Sequence, residues 1–339
     1  MKKYFLGVDG GNTKTDYLLC TIEGDFVDVF RGGTCSHEAF DTSYDGMEKT
    51  MREHLAVLFE RNGIGMADIA AAGFGLAGLD LPSQEVELRK RVENIGFSCY
   101  GLANDGILGI KGASDSGVGL CAVNGTGTVI IGADETGKVL QVGGVGPLSG
   151  DYAGGSYIRN EIISKLYDYY YRCGTDSSMF PKLMELLAAK PEDMLTLVSD
   201  SGLIHKNTIA IIQLCDKAAM EGDNTARLIF DAVGKTIGLS ASGCIKNLTF
   251  KESPIDIVLV GSIWQKTGYK GMKESFVSTV EEITSKKVNC ITLDAPAAAG
   301  GVLWAKETAD KTSVPADYRR HILETITMEK YESQVFSKD

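Results

Sequence analysis

The chain has 339 residues, of which 44% are hydrophobic and 23% are charged, and its formal net charge is −11 at pH 7. This length favours about two domains of roughly 150 residues each, and the acidic balance argues against nucleic acid and anionic membranes as the main partners. An acidic protein can still hold phosphate groups locally, through backbone N–H groups or a metal ion.

The cysteines and the first residues bear on the cellular compartment. The eight cysteines are scattered and form no C-x-x-C pair, which favours reduced, buried thiols over a disulfide framework or a zinc site. Asp9 interrupts the first apolar stretch too early for a signal peptide, and we find no apolar run of the ~18 residues that a membrane span needs. We therefore expect a cytoplasmic protein.

The predicted elements begin with a meander of three strands, at 3–9, 13–22 and 26–31. A second meander of the same kind has its strands at 117–124, 125–133 and 138–144. In both meanders, the first break is a glycine turn that carries a threonine, GGNT and GTGT. Two similar meanders about a hundred residues apart predict two related domains.

The remaining pattern is mostly helical. Helix 43–61 is predicted because Met47, Met51, Leu55 and Leu58 recur at spacings of four, four and three. Then come a less regular helix at 83–95, a short strand at 97–103, helices at 153–171, 179–189, 207–221 and 224–248, a strand at 255–260, a helix at 270–284, a strand at 288–293 and a helix at 295–309. A connector at 310–317 leads to a last helix. Alternating strands and helices define an α/β class.

The stretch LGVDGGNTKTD, at residues 6–16, is an apolar strand that ends in Asp9 and a glycine turn. It fits an ordinary β-hairpin. Alternatively, the glycines let successive N–H groups point at one place and bind phosphate oxygens, to which Thr13 adds a hydroxyl. Asp9 would repel phosphate on its own, but it fits such a site if Mg²⁺, which takes oxygen ligands and keeps several waters, lies between them.

Two further glycine turns are candidates for the same ligand. The turn at 125–128 carries no acid, so it can meet phosphates directly. Each turn alone is also typical of a structural hairpin, but two turns, one per domain, would face each other across a cleft. The strand at 255–260 ends in Gly261 and Ser262, and a strand-to-glycine turn is a common place for a ligand to lie on the backbone.

Two aspartates are candidates for acceptor chemistry. Asp105 follows a predicted strand in GLANDGILG; Asn-Asp-Gly is a common turn sequence, but an Asp in a cleft also accepts the proton of an attacking hydroxyl in phosphoryl transfer. Asp151 lies in the glycine-rich stretch VGGVGPLSGDYAGGSYI, residues 142–158. It either hydrogen-bonds sugar hydroxyls or is the N-cap of the helix that follows.

In this order, the motifs resemble those of the sugar kinase/Hsp70/actin ATPase superfamily, most of all the N-acetylglucosamine kinase branch of the BadF/BadG/BcrA/BcrD ATPase family. The resemblance covers roughly residues 4–309. GVDGGNTKTD is similar to the first phosphate motif, LCAVNGTGTV to the second and VGSIWQ to the adenosine motif. LAND resembles the segment of the catalytic aspartate, GGVGPLSGD the sugar-binding loop, and GLAG, at 75–78, the connecting segment.

The resemblance implies an α/β fold of two ribonuclease-H-like, actin/hexokinase-type domains with a cleft between them. The domains would span 1–112 and 113–309, the second with a helical insertion, and a C-terminal connector and helix would span 310–339. The resemblance also implies ATP and Mg²⁺, transfer of the γ-phosphoryl group to the 6-hydroxyl of an amino sugar, and domain closure that excludes water. It is compatible with a homodimer.

The resemblance carries over to individual residues. Asp105 would be the catalytic base, and Asp9 would act on Mg²⁺ through water. The ATP- and phosphate-binding residues would be Gly10, Gly11, Asn12, Thr13, Lys14, Gly125, Thr126, Gly127, Thr128, Gly261 and Ser262. The substrate-binding residues would be Ser36, His37, Asn104, Asp105, Gly144, Val145, Gly146 and Asp151.

Three residues depart from the family's pattern, all on the substrate side. Ser36 stands where an asparagine is expected, Val145 where a tryptophan is expected, and Tyr152 where an acid is expected, in a segment with one extra residue. Kinase chemistry is therefore better supported than N-acetylglucosamine as the acceptor. The smaller Val145 leaves room for a bulkier sugar such as N-acetylmuramic acid, with its lactyl group.

Two alternatives remain open. The activator ATPases of 2-hydroxyacyl-CoA dehydratases share this fold and hold an iron–sulfur cluster between two subunits through cysteines. Here Cys99 and Cys121 lie in apolar runs and do not resemble exposed cluster ligands, and that family lacks a base at the position of Asp105. The second alternative is a nucleotide-dependent binding or regulatory module with no acceptor sugar.

Overall fold

Two five-stranded sheets with the same strand order organise the protein. The computed structural model describes residues 3–251 and 253–336. The first sheet contains β1 (Tyr4–Gly10), β2 (Lys14–Thr21), β3 (Phe26–Gly33), β4 (Ile69–Leu76) and β5 (Tyr100–Ala103). The second contains β6 (Gly119–Asn124), β7 (Thr128–Ala133), β8 (Val139–Gly143), β9 (Ile255–Val260) and β10 (Val288–Thr292).

The order β3-β2-β1-β4-β5 recurs in the second sheet as β8-β7-β6-β9-β10. In each sheet the first three strands form an antiparallel meander. The other two strands run parallel to the first strand of that meander. The predicted α/β class and the predicted repeat of two meanders are therefore confirmed.

Helices surround both sheets. The helices are α1 (Tyr44–Asn62), α2 (Pro82–Ile95), α3 (Gly106–Ala113), α4 (Gly154–Tyr171), α5 (Phe180–Leu186), α6 (Met194–Ser199), α7 (Gly202–Lys206), α8 (Thr208–Glu221), α9 (Asn224–Asn247), α10 (Ser262–Lys266), α11 (Gly271–Thr284), α12 (Ala297–Asp310), α13 (Ala316–Thr325) and α14 (Met328–Phe336). The long helices match the predicted ones, whereas the short α6, α7 and α10 were not expected. Helices of five or six residues are too short to show a helical period.

Strand β4 is the main element that the sequence pattern does not predict. Its sequence, IAAAGFGL, is rich in alanine and glycine, which are depleted in strands, so it carries no strand signal. The small residues have a packing reason. A Cβ atom on Gly73 would lie 2.3 Å from the carbonyl oxygen of Gly301, so helix α12 rests directly on the strand backbone.

Helices α3 and α12 each pack across the predicted domain boundary. Helix α12 lies on β1 and β4 of the first sheet, and α3 lies on β6, β7 and β9 of the second. The apolar contacts agree, because Val302 of α12 clusters with Phe5 and Ile107 of α3 with Cys121. The division of the chain into domains that end at residues 112 and 309 therefore stays a prediction. Residues 1–2 and 337–339 of the predicted ranges lie outside the described part.

The C-terminal segment forms two helices rather than one, and both pack on the first sheet. Ile322 of α13 and Tyr331 of α14 belong to the same apolar cluster as Phe5 and Leu18. This segment therefore extends the core beneath β1 and β2.

One described helix, α9, is long and apolar enough to cross a membrane by length and composition. Its apolar face includes Phe230, Val233 and Ile237, which lie in the core of the second half of the protein. This packing accounts for its apolar composition.

Candidate active site

The first glycine turn is both a hairpin and an exposed ligand-binding candidate. The backbone N–H of Gly11 donates to the carbonyl oxygen of Lys14 at 2.9 Å and closes the turn between β1 and β2. Asn12, Thr13 and Lys14 are exposed at its tip. Gly10 lies at the end of β1, where a Cβ atom would come within 2.6 Å of Leu76. The structural interpretation and the phosphate-binding interpretation of this turn are therefore compatible.

The negative charge of the Asp9 carboxylate is only weakly neutralised by its neighbours. It lies opposite Asp16 in the antiparallel register of β1 and β2, so both side chains leave the same face of the sheet. Burial, then the negative charges of Asp105 and Asp16, raise the pKa of Asp9 to about 7, against the opposing effect of Lys14 and Arg31.

Such a group fits a role at a metal. Mg²⁺ would relieve the negative charge that raises the pKa of Asp9. Among the described residues there is no group of three or more His, Cys, Asp or Glu side chains arranged to hold a metal. An ion here would accordingly take most of its ligands from water and phosphate oxygens, as Mg²⁺ commonly does.

Asp105 occupies the N-cap position of α3, but its side chain makes no capping hydrogen bond. Asn104 serves the turn instead, because its Oδ1 accepts the N–H of Gly106 at 3.0 Å. Burial and then the charge of Asp80 raise the pKa of Asp105 to about 6, although the nearby N–H groups of Asp105 and Gly106 oppose this rise. The Asn104 amide therefore closes this turn, and Asp105 adds no capping hydrogen bond to it.

The neighbouring Asn104 is mostly engaged within the protein. It is 7% exposed, and its Nδ2 donates to Asp80 Oδ1 at 3.1 Å. A contact between Asn104 and the substrate would thus compete with two internal hydrogen bonds. The geometry better supports a role for Asn104 in fixing the segment around Asp105.

The second glycine turn is fixed by the start of α4. The N–H groups of Gly155 and Ser156 donate to the carbonyl oxygens of Gly125 and Thr126 at 2.7 and 3.1 Å. Gly154 permits this contact, since it has φ +75° and a Cβ atom there would lie 2.7 Å from the backbone of Gly127. The turn is therefore held in place by the first N–H groups of a long helix.

Thr128 has a structural contact, since its hydroxyl donates to the carbonyl oxygen of Val123 at 3.1 Å. The predicted adenosine motif lies next to the same turn. Gly261 has φ +110°, and a Cβ atom there would lie 2.4 Å from the carbonyl oxygen of Asn124. Ser262 begins α10, so the structure brings the second and third motifs together. That the first and second turns face each other across the cleft stays a prediction.

The predicted sugar-binding loop is organised by Asp151. Asp151 Oδ2 accepts the N–H groups of Val145 and Gly146 at 3.0 and 2.7 Å. The alternative role as a helix N-cap is wrong, because Ala153 occupies that position of α4. Gly144 has φ +83°, which lets the loop curl around the carboxylate. The side chain of Val145 is 59% exposed, so it leaves open space where the family pattern has tryptophan.

Ser36 and His37 supply two polar atoms without a partner. Both residues are buried, yet Ser36 Oγ and His37 Nδ1 have no hydrogen-bond partner among the described residues. Both atoms face Gly78, where a Cβ atom would lie 3.2 Å from Ser36 Oγ and 3.3 Å from His37 Nδ1. Since buried polar atoms are normally paired, these two are suited to a polar ligand.

His37 is held in place, and burial favours its neutral form. Its ring stacks on Tyr44 with a centroid distance of 4.4 Å and an interplanar angle of 8°. Burial lowers the pKa of His37, although Glu38 and Asp80 oppose this effect. A neutral, oriented imidazole can accept or donate a hydrogen bond without attracting an anion.

Sequence reasoning missed three polar residues at this site. Asp80 and Gln141 hydrogen-bond each other, and both adjoin predicted site segments. Asn124 is fully buried at the end of β6, and neither atom of its amide has a partner among the described residues. A polar residue that ends a buried strand just before a glycine turn was the available signal for Asn124, whereas Asp80 and Gln141 lie in no recognisable motif.

Known structures place the fold among two-domain sugar kinases of the actin/hexokinase type. A candidate N-acetylglucosamine kinase from Chromobacterium violaceum aligns with a TM-score of 0.60 and 19% identity over 89% of this chain and 99% of its own. A ROK family glucokinase from Streptomyces griseus, in complex with glucose and AMPPNP, aligns with a TM-score of 0.52 and 16% identity over 91% of this chain and 99% of its own.

The BadF/BadG/BcrA/BcrD ATPase family model matches residues 6–305, and the chain belongs to this family. An N-acetylmuramic acid/N-acetylglucosamine kinase of Clostridium acetobutylicum is 20% identical over 91% of this chain and 100% of its own length. An N-acetyl-D-glucosamine kinase of Dictyostelium discoideum is 24% identical over 79% of this chain and 87% of its own length. The predicted family and the predicted fold are thus confirmed.

Proposed function

We propose that the protein is an ATP-dependent amino-sugar kinase, which transfers the γ-phosphoryl group of ATP to the 6-hydroxyl of N-acetylglucosamine or a related N-acetylated sugar. The observation that carries this proposal is Asp105, a carboxylate at a strand end that caps no helix and has a pKa raised to about 6. The kinases of Clostridium acetobutylicum and Dictyostelium discoideum, which match most of the chain, support the same activity.

Asp105 has the properties of a base for a hydroxyl. With a pKa of about 6, it is mostly ionised at pH 7 and more basic than an ordinary Asp. A positioned carboxylate orients the attacking hydroxyl toward the γ-phosphate and accepts its proton as the new bond forms. This arrangement gains most of its effect from geometry, as phosphoryl transfer generally does.

The nucleotide would lie along the three glycine motifs. The backbone of 10–14 and of 125–128 would hold the phosphates, and Gly261 with Ser262 would face the adenosine. Mg²⁺ at Asp9, through water, would supply charge neutralisation on the phosphates. The chain itself contributes a preorganised second turn, because the start of α4 donates hydrogen bonds to it and Gly261 lies against Asn124 at its beginning.

The acceptor sugar would lie between the loop at 143–151 and the pair Ser36 and His37. The unpartnered Ser36 Oγ and His37 Nδ1 suit the hydroxyl or acetamido groups of a sugar. Exposed Val145 leaves space for a substituent, which favours N-acetylmuramic acid as an alternative acceptor. The relative from Clostridium acetobutylicum, described as a kinase of both sugars, agrees with this alternative.

The proposal implies small-molecule partners, ATP and an amino sugar, and a cytoplasmic site of action without nucleic acid or membrane. A homodimer is compatible with it. The activator-type ATPase is disfavoured, because Cys121 is fully buried between α3 and the second sheet, where it cannot reach a cluster shared between subunits.

The test is a screen for sugar-dependent ADP release from ATP with Mg²⁺. Candidate acceptors are N-acetylglucosamine, N-acetylmuramic acid and glucose, and the product is identified as a sugar 6-phosphate by mass and NMR. We expect stoichiometric ADP and sugar phosphate with at least one N-acetylated sugar. ADP release that no sugar stimulates would favour a nucleotide-dependent module, and iron with a brown colour after anaerobic purification would favour the activator.

A further inference from the structure

A hydrogen-bonded pair, Asp80 and Gln141, connects the two halves of the protein beside the candidate site. Asp80 lies between β4 and α2, on the first sheet's side, and Gln141 lies in β8 of the second sheet. Gln141 Nε2 donates to Asp80 Oδ1 at 2.7 Å, although the residues are 61 positions apart in the chain. A carboxylate acceptor makes this bond stronger than one between neutral groups.

Each member of the pair also holds a segment of the candidate site. Asp80 Oδ1 accepts a second hydrogen bond from Asn104 Nδ2 at 3.1 Å, and Asn104 directly precedes Asp105. Gln141 Nε2 also donates to the carbonyl oxygen of Gly143 at 3.2 Å, where the loop at 143–151 begins. One continuous set of hydrogen bonds thus runs from Asn104, the residue before the proposed base, to the start of the proposed sugar loop.

The backbone at Asp80 is held by the first turn of α2. Its backbone N–H, and that of Leu81, donate to Gln84 Oε1 at 2.8 and 2.7 Å in the first turn of α2. The carboxylate is therefore attached to a helix end rather than to a freely moving loop, and it can act as a fixed point for the two amides.

An open pocket lies beside the pair. It has a volume of about 620 Å³, and its lining includes Asp80, Asn104 and Gln141 together with residues of α2, β5, β7, β8 and α12. The hydrogen-bonded pair therefore lies in the wall of a pocket that both halves of the protein line.

We propose that Asp80 and Gln141 are positioning residues, which fix Asp105 and the loop at 143–151 relative to each other across the cleft. This inference rests on the proposed function, since it takes Asp105 as the base and this loop as the sugar-binding loop. A small misplacement of a reacting group is costly in rate, so the pair acts on the sugar reaction without touching the nucleotide.

The first test measures kcat and KM for the sugar and for ATP in Asp80→Ala, Gln141→Ala and the double variant. We expect each single change to lower kcat/KM for the sugar by roughly 10–100-fold, the range for hydrogen bonds to a charged group, with KM for ATP within about twofold. The double variant is expected to be no worse than the poorer single variant, because both remove the same link. Ser83→Ala, an exposed neighbour in α2, is the matched control and should resemble the wild type.

A reciprocal exchange separates positioning from a purely structural role. Gln141→Glu places a second carboxylate against Asp80 and should be worse than Gln141→Ala. Adding Asp80→Asn restores the hydrogen bond between positions 80 and 141 in the opposite direction, so part of the lost kcat/KM should return; the bond to the carbonyl oxygen of Gly143 is not restored, because glutamate cannot donate it. Thermal midpoints are measured for every variant, and we expect the losses in activity to exceed any trend in these midpoints.

The proposal is overturned if both alanine variants keep kcat/KM for the sugar within about twofold, if the double variant is additive, or if the exchange recovers nothing. In all these cases the wild type still phosphorylates the sugar, so the proposed function stands. If the wild type itself shows no sugar-dependent phosphorylation, the proposed function fails, and this inference fails with it.

Discussion

Asp9 and Asp16 lie directly opposite each other on β1 and β2, but their negative charges are neutralised to very different extents. Asp16 accepts hydrogen bonds from Arg31 at 2.6 and 2.7 Å and from Lys14 at 3.1 Å, whereas Asp9 forms no ion pair among the described residues. Burial would raise the pKa of Asp16, but Arg31 and Lys14 outweigh it and hold that pKa below its usual range. The pKa of Asp9 rises to about 7.

This contrast predicts that Asp9 costs stability in the absence of a cation. A carboxyl with a raised folded-state pKa favours folding at low pH and loses that advantage as the pH rises through the folded value. Asp9→Asn should therefore stabilise the metal-free protein by about 1–2 kcal/mol at pH 8, and the gain should shrink as the pH falls from 7 to 4. Thermal unfolding at both ends of this range measures the effect.

The control is Asp16→Asn, which removes the carboxylate charge that Arg31 and Lys14 bind and should destabilise the protein at pH 8. In activity assays, Asp9→Asn should lose most Mg²⁺-dependent turnover while it remains folded. Wild-type turnover across a Mg²⁺ titration in this variant would remove Asp9 from the site.

The sequence predicted the meanders and glycine motifs because these are local patterns. It did not predict β4, in which Gly73 leaves room for α12, an element more than two hundred residues later in the chain, and Gly75 leaves room for Leu108 of α3. Nor did it indicate that Asp151 tethers its own loop or that Asp80 meets Gln141. The Asp80–Gln141 contact depends on how distant segments are brought together, and the Asp151 contacts depend on the backbone conformation of the loop. Residue spacing along the chain encodes neither.

The pKa of Asp105 predicts an acidic limit to turnover. Because burial and then Asp80 raise this pKa to about 6, the carboxylate that accepts the hydroxyl proton is lost as the pH falls through about 6. We expect kcat to decline about tenfold per pH unit below that value, with ATP affinity measured in parallel to show that binding persists. A kcat that stays flat down to pH 5 would show that Asp105 does not act as the base.

Asp151 is predicted to serve sugar binding through its loop. Asp151→Asn keeps one acceptor oxygen but removes the charge that strengthens the bonds to Val145 and Gly146. KM for the sugar should rise by roughly 10-fold or more, with a smaller change in kcat. Ser149→Ala, which removes another hydrogen bond of the same loop, is the control. An effect on kcat larger than that on KM would assign Asp151 to the chemical step instead.

Val145 is predicted to leave space for a bulky acceptor. Its side chain is 59% exposed, so Val145→Trp adds volume without displacing the core. KM for N-acetylmuramic acid should rise by roughly tenfold, and KM for N-acetylglucosamine should change much less. Leu148→Trp adds the same ring at the fully exposed tip of the loop and should affect neither sugar. Equal effects of Val145→Trp on both sugars would contradict the idea.

The most direct test of the central claim is the turnover of Asp105→Asn with saturating ATP, Mg²⁺ and sugar. The account predicts that kcat falls by roughly 10²–10⁴-fold, as for a positioned acid–base group, while the Kd for ATP is unchanged, because Asn104 rather than Asp105 holds the turn. If Asp105 were an ordinary turn residue, asparagine would replace it with little effect. A variant with near-normal kcat would therefore contradict the proposed kinase mechanism.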